Sequence, residues 1–178
     1  MIDEGAVTAA RVPGGFAIEL ASGAVVEGSR LVLAFGIRDG LPAIQGLSER
    51  WGTSVLHCPY CHGFEFSGRR LGVLHTSAMS IHQAMLIVEW GPTTLYLNGE
   101  AAPDETTREE LERRGVAIEP LPLRALQGEG AALSAIELID GRLLPADALY
   151  VGPRTHLNSD IAAQLGCDME DGASGPFI

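Results

Sequence analysis

The segment His57-Cys58-Pro59-Tyr60-Cys61-His62-Gly63 sets two thiols and two imidazoles in consecutive reach of one another. Two cysteines three positions apart, entering a helical turn, bring their sulfurs close enough to bridge. The free N–H groups of such a turn, together with a neighbouring imidazolium, favour the thiolate and raise the reactive fraction of sulfur at neutral pH. Pro59 stiffens the loop between them. The chemistry this pattern suits is two-electron exchange between a dithiol and a disulfide. Three other readings stand beside it. Two thiols can lie this close by chance. Zinc can take His57, Cys58, Cys61 and His62, but adjacent residues rarely turn to one ion and no second pair has suitable spacing, so no metal is expected. Cys58 to His62 also matches the c-type haem attachment pattern, whose chemistry needs export and an axial bond from His62.

The surrounding composition narrows the compartment and the partners. The chain has 178 residues, 46% of them hydrophobic and 20% charged, which is the range of folded globular chains rather than disordered ones. Its formal charge is −11, and every cation other than histidine is Arg. Such a surface repels a phosphate backbone, so nucleic acid is not expected as a partner. No uninterrupted apolar run approaches the length of a membrane span. The start, Met1-Ile2-Asp3-Glu4, lacks the basic and apolar parts of an export signal, which makes the cytoplasm the expected location. There a close cysteine pair is catalytic or metal-binding more often than structural. Cys167, remote from the pair, reads as a small buried hydrophobe.

The elements that must position the pair can be read from periodicity. Val7 to Arg11, Gly15 to Leu20 and Ala24 to Ala34 form three apolar or alternating runs separated by Pro13-Gly14-Gly15 and Ser22-Gly23, a meander pattern. The third run loses its alternation at Leu31-Val32-Leu33-Ala34-Phe35, as a strand buried on both faces does. Arg38 to Gly46 reads as a connector. Leu71 to Leu74 reads as a strand, and Ala78 to Trp90 as a helix with Ser77 as N-cap and Ile81, Met85 and Val88 on its apolar side. A strand at Thr93 to Leu97 follows. Thr106 and Thr107, each three before a glutamate, suggest a capping box for a helix ending at Gly115. Strands from Val116, Leu121 to Gln127, Leu133 to Asp140 and Ala146 to Val151 complete the order β-α-β-α-β, meander, β. That order predicts an α/β dinucleotide-binding architecture.

From about Gly5 to Ile178 the chain resembles the thioredoxin reductase-like flavoprotein disulfide oxidoreductases. The resemblance is carried by CPYCHGFEFSGRRLGVL, by the preceding IRDGLPAIQGLSERWG, and by Ala34-Phe35-Gly36, which stands where the family usually has Ala-Thr-Gly. It is closest to the branch whose cysteine pair is followed by His-Gly instead of Asp-Gly. The resemblance implies a three-layer Rossmann-like domain with a β-meander, flanked by strands of an incomplete FAD-type lobe. Its implied boundaries are 1–41 for the FAD-lobe meander and return strand, 42–145 for the NAD(P)-binding-like domain, and 146–178 for the second FAD-lobe segment. It also implies roles. Cys61 would face the flavin and Cys58 would be the interchange thiol that meets the external disulfide or dithiol. His62 takes the position of the family's acid/base carboxylate, a task that suits an imidazole titrating near neutrality. A merely hydrogen-bonded His62 at a helix start is the plainer reading, and His57 reads as positional. Ala34, Gly36, Gly72 and Ser77 stand at cofactor-binding positions. FAD and NADPH are the implied cofactors, a thioredoxin-like protein or a small dithiol or disulfide the implied partner, and a homodimer the implied assembly.

Two departures alter those expectations. In the turn from Gly72 to Ser80 the two glycine positions of the expected G-x-G hold His75 and Ser77, whose side chains crowd the place of a phosphate. After the next strand, Asn98-Gly99-Glu100 offers no cation for a ribose phosphate. A degenerate NADPH site is therefore expected, and with it a dithiol oxidase that passes electrons through the pair to FAD and on to oxygen. Weak nicotinamide-nucleotide binding by N–H groups alone stays open. The family's G-x-G-x-x-G turn for the ADP half of FAD and its Gly-Asp segment do not occur in these residues, so an internal fragment with little or no flavin affinity of its own is expected. The rival from another class is a non-catalytic redox-sensing or binding module built on the same fold.

Overall fold

Alternating residues in the first runs fold back through the Pro13-Gly14 turn, where Gly14 takes φ +86°, a backbone region that costs glycine least. The computed structural model describes residues 1–172 and 174–178. It divides into two compact units, Met1–Gly40 with Arg154–Ile178, and Leu41–Pro153. Of the first unit, β1 (Ala6–Val12), β2 (Gly15–Leu20) and β3 (Val25–Gly28) form the expected antiparallel meander. The expected strand Ala24–Ala34 is regular only over β3. Leu31 and Leu33 instead pack as partly buried side chains against Ala9, Ile161 and Leu165. A strand buried on both faces needs a neighbour on each side, and among the described residues none pairs with this segment. Part of the expected connector is β4 (Ile37–Gly40).

The second unit holds the sheet that carries the cysteine loop. Its elements in order are β5 (Val55–Leu56), α1 (Pro59–His62), β6 (Leu71–Leu74), α2 (Met79–Ile87), β7 (Thr93–Tyr96), α3 (Glu105–Arg113), β8 (Ala117–Glu119), β9 (Leu123–Gln127), β10 (Ala135–Leu138), β11 (Leu143–Pro145) and β12 (Ala148–Val151). The five-stranded sheet runs β5-β12-β6-β7-β8 with every pair parallel. Residues along each strand alternate between two cores. Leu71, Val73, Leu95, Ala148 and Tyr150 meet Ala84, Ile87 and Leu111 of α2 and α3. Leu74, Tyr96, Leu149 and Val151 meet Leu123, Leu126, Ile136 and Leu138 of the antiparallel meander β9-β10-β11. Helices, sheet and meander are thus three layers, as the sequence predicts. β12, assigned by sequence to the segment 146–178, lies inside this sheet between β5 and β6, so the second unit runs on to Pro153.

Helix ends differ from expectation in instructive ways. At α3 the N-cap is Asp104, whose carboxylate accepts from the backbone N–H and the hydroxyl of Thr107 at 2.9 and 3.0 Å, in place of a threonine cap. Its end matches expectation. Gly115 takes φ +83°, and the N–H groups of Gly115 and Val116 donate to Glu112 and Leu111 carbonyls in a Schellman pair. Helix α2 ends at Ile87 rather than Trp90, because Glu89 and Trp90 donate three residues back and tighten the chain out of the α-helix.

The remainder of the first unit is β13 (Arg154–Leu157), α4 (Ile161–Gln164), β14 (Glu170–Gly172) and β15 (Gly175–Phe177). β13 pairs antiparallel with β4, Arg154 opposite Gly40 and Leu157 opposite Ile37. Cys167 is partly buried against the Ala9–Ile161–Leu165 cluster, as its reading as a hydrophobe requires.

Candidate redox site

Helix α1 is a single turn with Cys58 as N-cap and Pro59 at its first position, where a missing N–H costs no hydrogen bond. Cys61 and His62 both donate backbone N–H groups to the Cys58 carbonyl at 3.3 Å. This turn sets the Cys61 thiol 2.9 Å from the Cys58 sulfur, donating to it. The hydrogen bond from the Cys61 thiol lowers the pKa of Cys58, helped by the N–H groups of Cys61 and Tyr60 and opposed by desolvation. The same contact raises the pKa of Cys61, whose proton is held on the bridge; desolvation and the charge on Cys58 add to it. The pair is therefore asymmetric, with Cys58 the more acidic sulfur and Cys61 the one that holds its proton more tightly. Cys58 is partly buried and Cys61 exposed.

The loop is held from beneath by residues the sequence reading did not single out. Gln83 of α2 donates its amide to the carbonyl of His57 at 2.7 Å. Trp90 stands edge-on to Tyr60, ring centroids 6.4 Å apart at 90°. Tyr150 of β12 lies opposite Leu56 of β5 in the sheet. Its hydroxyl is fully buried without a hydrogen-bond partner among the described residues. Burial, and then the charges of Glu65 and Cys58, push that phenol up to about 12. His62 turns its Nδ1 to the Glu65 carboxylate at 3.1 Å. The spacing H-G-F-E was the available signal for Glu65. Gln83 and Trp90 had none, since one meets the loop from α2 and the other from the turn that follows it. Among the described residues no group of three or more His, Cys, Asp or Glu side chains gathers as a metal site.

The expected cofactor positions are spread over the chain. Gly72 lies inside β6 rather than in the turn after it. A Cβ there would come within 2.9 Å of both Leu149 and Tyr96, so packing against the meander core accounts for this glycine. Ser77 precedes α2 but does not cap it; the N-cap position is Ala78, without a side-chain bond. The hydroxyl of Ser80 accepts from the N–H groups of Thr76 and Ser77 at 3.0 and 3.4 Å, and Thr76 donates its own hydroxyl to the Gly152 carbonyl at 2.7 Å. The turn that would cradle a phosphate is thus closed on itself. His75 occupies a glycine position of that turn, with its Nδ1 buried and unpartnered among the described residues. Asn98, after β7, accepts from the N–H of Leu123 at 2.9 Å and serves the meander. The two N–H groups of Thr76 and Ser77 are thus already taken within the turn.

In the first unit, Ala34 borders a mostly apolar cleft of about 440 Å³ with Leu31, Val32, Phe35 and Asn158. Gly36, at φ +67°, turns the chain beside it, and its carbonyl and that of Phe35 accept from the backbone and side chain of Asn158. An apolar cleft next to a glycine turn fits part of a flavin site. No helix among the described residues is long and apolar enough to cross a membrane.

No protein-family model matches the chain. The thioredoxin reductase sirT of Leptosphaeria maculans is 30% identical over 158 residues, which cover 81% of this chain and 48% of that protein. The thioredoxin reductase aclD of Aspergillus oryzae is 29% identical over 170 residues, covering 88% of this chain and 54% of the relative. An oxidoreductase from Agrobacterium tumefaciens superposes with a TM-score of 0.91 at 37% identity, over 99% of this chain and 59% of that one. The chain spans about half the length of the curated relatives it matches. In sequence and in fold, it belongs to the thioredoxin reductase-like oxidoreductases.

Proposed function

We propose that this chain carries the redox-active dithiol of a thioredoxin reductase-like flavoprotein and works as a dithiol oxidase with a degenerate NADPH site. The observation that carries the reading is the 2.9 Å contact between the Cys61 thiol and the Cys58 sulfur, with its opposed acidities. A covalent bond of about 2.05 Å needs only a small further approach. Cys58 is the sulfur that exchanges with the external dithiol or disulfide, on a small molecule or a thioredoxin-like protein, because the thiolate is the nucleophile. Cys61 is the sulfur that passes the electron pair on, the role its position in the family motif implies. FAD, when bound in the lobe that contains Ala34 and Gly36, supplies the two-electron acceptor. The self-closed turn at Thr76–Ser80 supports the loss of NADPH as electron donor, and the homodimer and the cytoplasm remain part of the same reading.

A redox titration against glutathione, with free thiols counted by mass after alkylation, tests the pair. The expected result is a reversible two-electron transition in the wild type and none in Cys61→Ser. Turnover of a dithiol with added FAD and oxygen supports the oxidase. A stable disulfide equilibrium without turnover supports the redox-sensing module instead. Calorimetric titration with NADPH is expected to give no saturable heat in the micromolar range; tight binding would overturn the degenerate site.

A further inference from the structure

Glu65 lies on the short 3-10 turn Phe64–Phe66 that follows α1, three residues beyond His62. A carboxylate only accepts hydrogen bonds, so the 3.1 Å contact requires the proton of a neutral His62 to sit on Nδ1. Nε2 is then left with the lone pair. We propose that Glu65 is a positioning residue for thiol–disulfide exchange, holding His62, the neighbour of Cys61 in the chain, in the tautomer whose Nε2 is free to accept a proton. This rests on the reading of Cys58 and Cys61 as the redox pair. Both side chains are partly exposed, at 38% and 61%, so the contact acts through direction more than through strength. The turn that aligns them is fixed by Gly63, which is buried against Trp90.

The exchange runs as follows in the disulfide form. A thiolate of the substrate dithiol, its proton already lost to solvent, attacks the sulfur of Cys58. The Cys58–Cys61 bond breaks, and its electron pair leaves on the sulfur of Cys61. The second substrate thiol gives its proton to His62 Nε2 and attacks the substrate sulfur of the mixed disulfide, releasing Cys58 as thiolate. His62 hands its proton to Cys61. The substrate leaves as a disulfide, two electrons poorer, and the protein holds a Cys58 thiolate beside a Cys61 thiol, a product that the 2.9 Å contact between the two sulfurs suits.

The test uses the oxidised chain, dithiothreitol as the probe dithiol, and quenched alkylation to follow the loss of the disulfide. Glu65→Ala is expected to slow the reaction about tenfold, a part of what a positioned base contributes. Glu65→Gln keeps an oxygen for Nδ1–H and is expected to retain most of the wild-type rate. In a His62→Ala background, Glu65→Ala is expected to change nothing further, since its effect passes through the imidazole. Nitrogen-15 spectra of the His62 ring should show the Nδ1–H tautomer in the wild type and in Glu65→Gln, and a shift toward Nε2–H in Glu65→Ala. Equal slowing by Glu65→Ala with and without His62, or Glu65→Gln as slow as Glu65→Ala, would overturn the assignment, as would a wild-type ring in the Nε2–H form. A wild-type disulfide inert to dithiothreitol would remove the redox reading itself, a result separable from all of these.

Discussion

The indole of Trp90 fills the space a side chain on Gly63 would need: a Cβ there would lie 2.6 Å from Cε2 and 2.8 Å from Cδ2. Gly63 has an ordinary helical backbone, φ −61° and ψ −38°, so its smallness is demanded by packing and not by conformation. Gly63→Ala is expected to cost about 1–3 kcal/mol, the range for overpacking a filled site. Denaturant unfolding and the Trp fluorescence of the folded state both read it, since the indole must shift in its contact with Tyr60. Unchanged stability and emission would show that the indole yields freely.

The opposed acidities of the pair predict an order of modification. As pH rises, iodoacetamide should alkylate Cys58 before Cys61, because the thiolate of Cys58 is stabilised by the proton Cys61 holds. Cys61→Ala removes the largest of the influences that lower Cys58. Its alkylation profile should therefore move to higher pH, which peptide mass mapping can follow. A profile that stays in place would mean that the backbone N–H groups alone hold the thiolate.

Arg50 is buried to 7% exposure and donates to three carbonyls, Gly46 at 2.8 Å, Gly128 at 3.0 Å and Ala132 at 3.4 Å. It ties the start of the second unit to the loop between β9 and β10. Arg50→Ala leaves these buried acceptors without their charged donor and is expected to cost about 2–4 kcal/mol. Chemical denaturation measures this. A loss below about 0.5 kcal/mol would mean that water replaces the guanidinium fully.

Arg70 clasps Asp147 with its backbone N–H and two guanidinium nitrogens, and the bonds hold the Asp147 carboxyl at about 2. A carboxyl whose pKa is depressed by folding stabilises the fold fully above its unfolded pKa, about 3.9, and loses that contribution as pH falls through its folded value. Arg70→Met should therefore lower the denaturation midpoint at pH 6, and the difference from wild type should shrink between about pH 4 and pH 2. A difference independent of pH would assign the effect to packing of the arginine stem.

The parts of the fold that sequence made legible are those whose signal is local. Strand β6, strand β7, the meander and the glycine end of α3 follow from periodicity and turn residues within a few positions. So does the closeness of the Cys58 and Cys61 sulfurs, which their spacing alone brings together. Illegible features depend on distant partners. β4 is short and mostly exposed, and only β13, more than a hundred residues later, makes it a strand. Leu31 to Phe35 has the composition of an interior strand, but among the described residues no strand pairs with it. The serine that satisfies the turn before α2 is Ser80, inside the helix, not Ser77 in front of it. Gly72 has the residue type of a phosphate turn, but its neighbours Leu149 and Tyr96 come from two other strands. At the site itself, Gln83 and Trp90 reach the loop only through the tertiary fold.

The pairing of Gly40 with Arg154 has an architectural consequence. The residues that lead into and out of the segment 41–153 are cross-strand neighbours, so that segment begins and ends at one spot. A stretch with adjacent ends can be lifted out as a cassette and spliced into a loop of another scaffold without forcing the host apart. The cysteine pair, its supporting helix and its sheet would travel together.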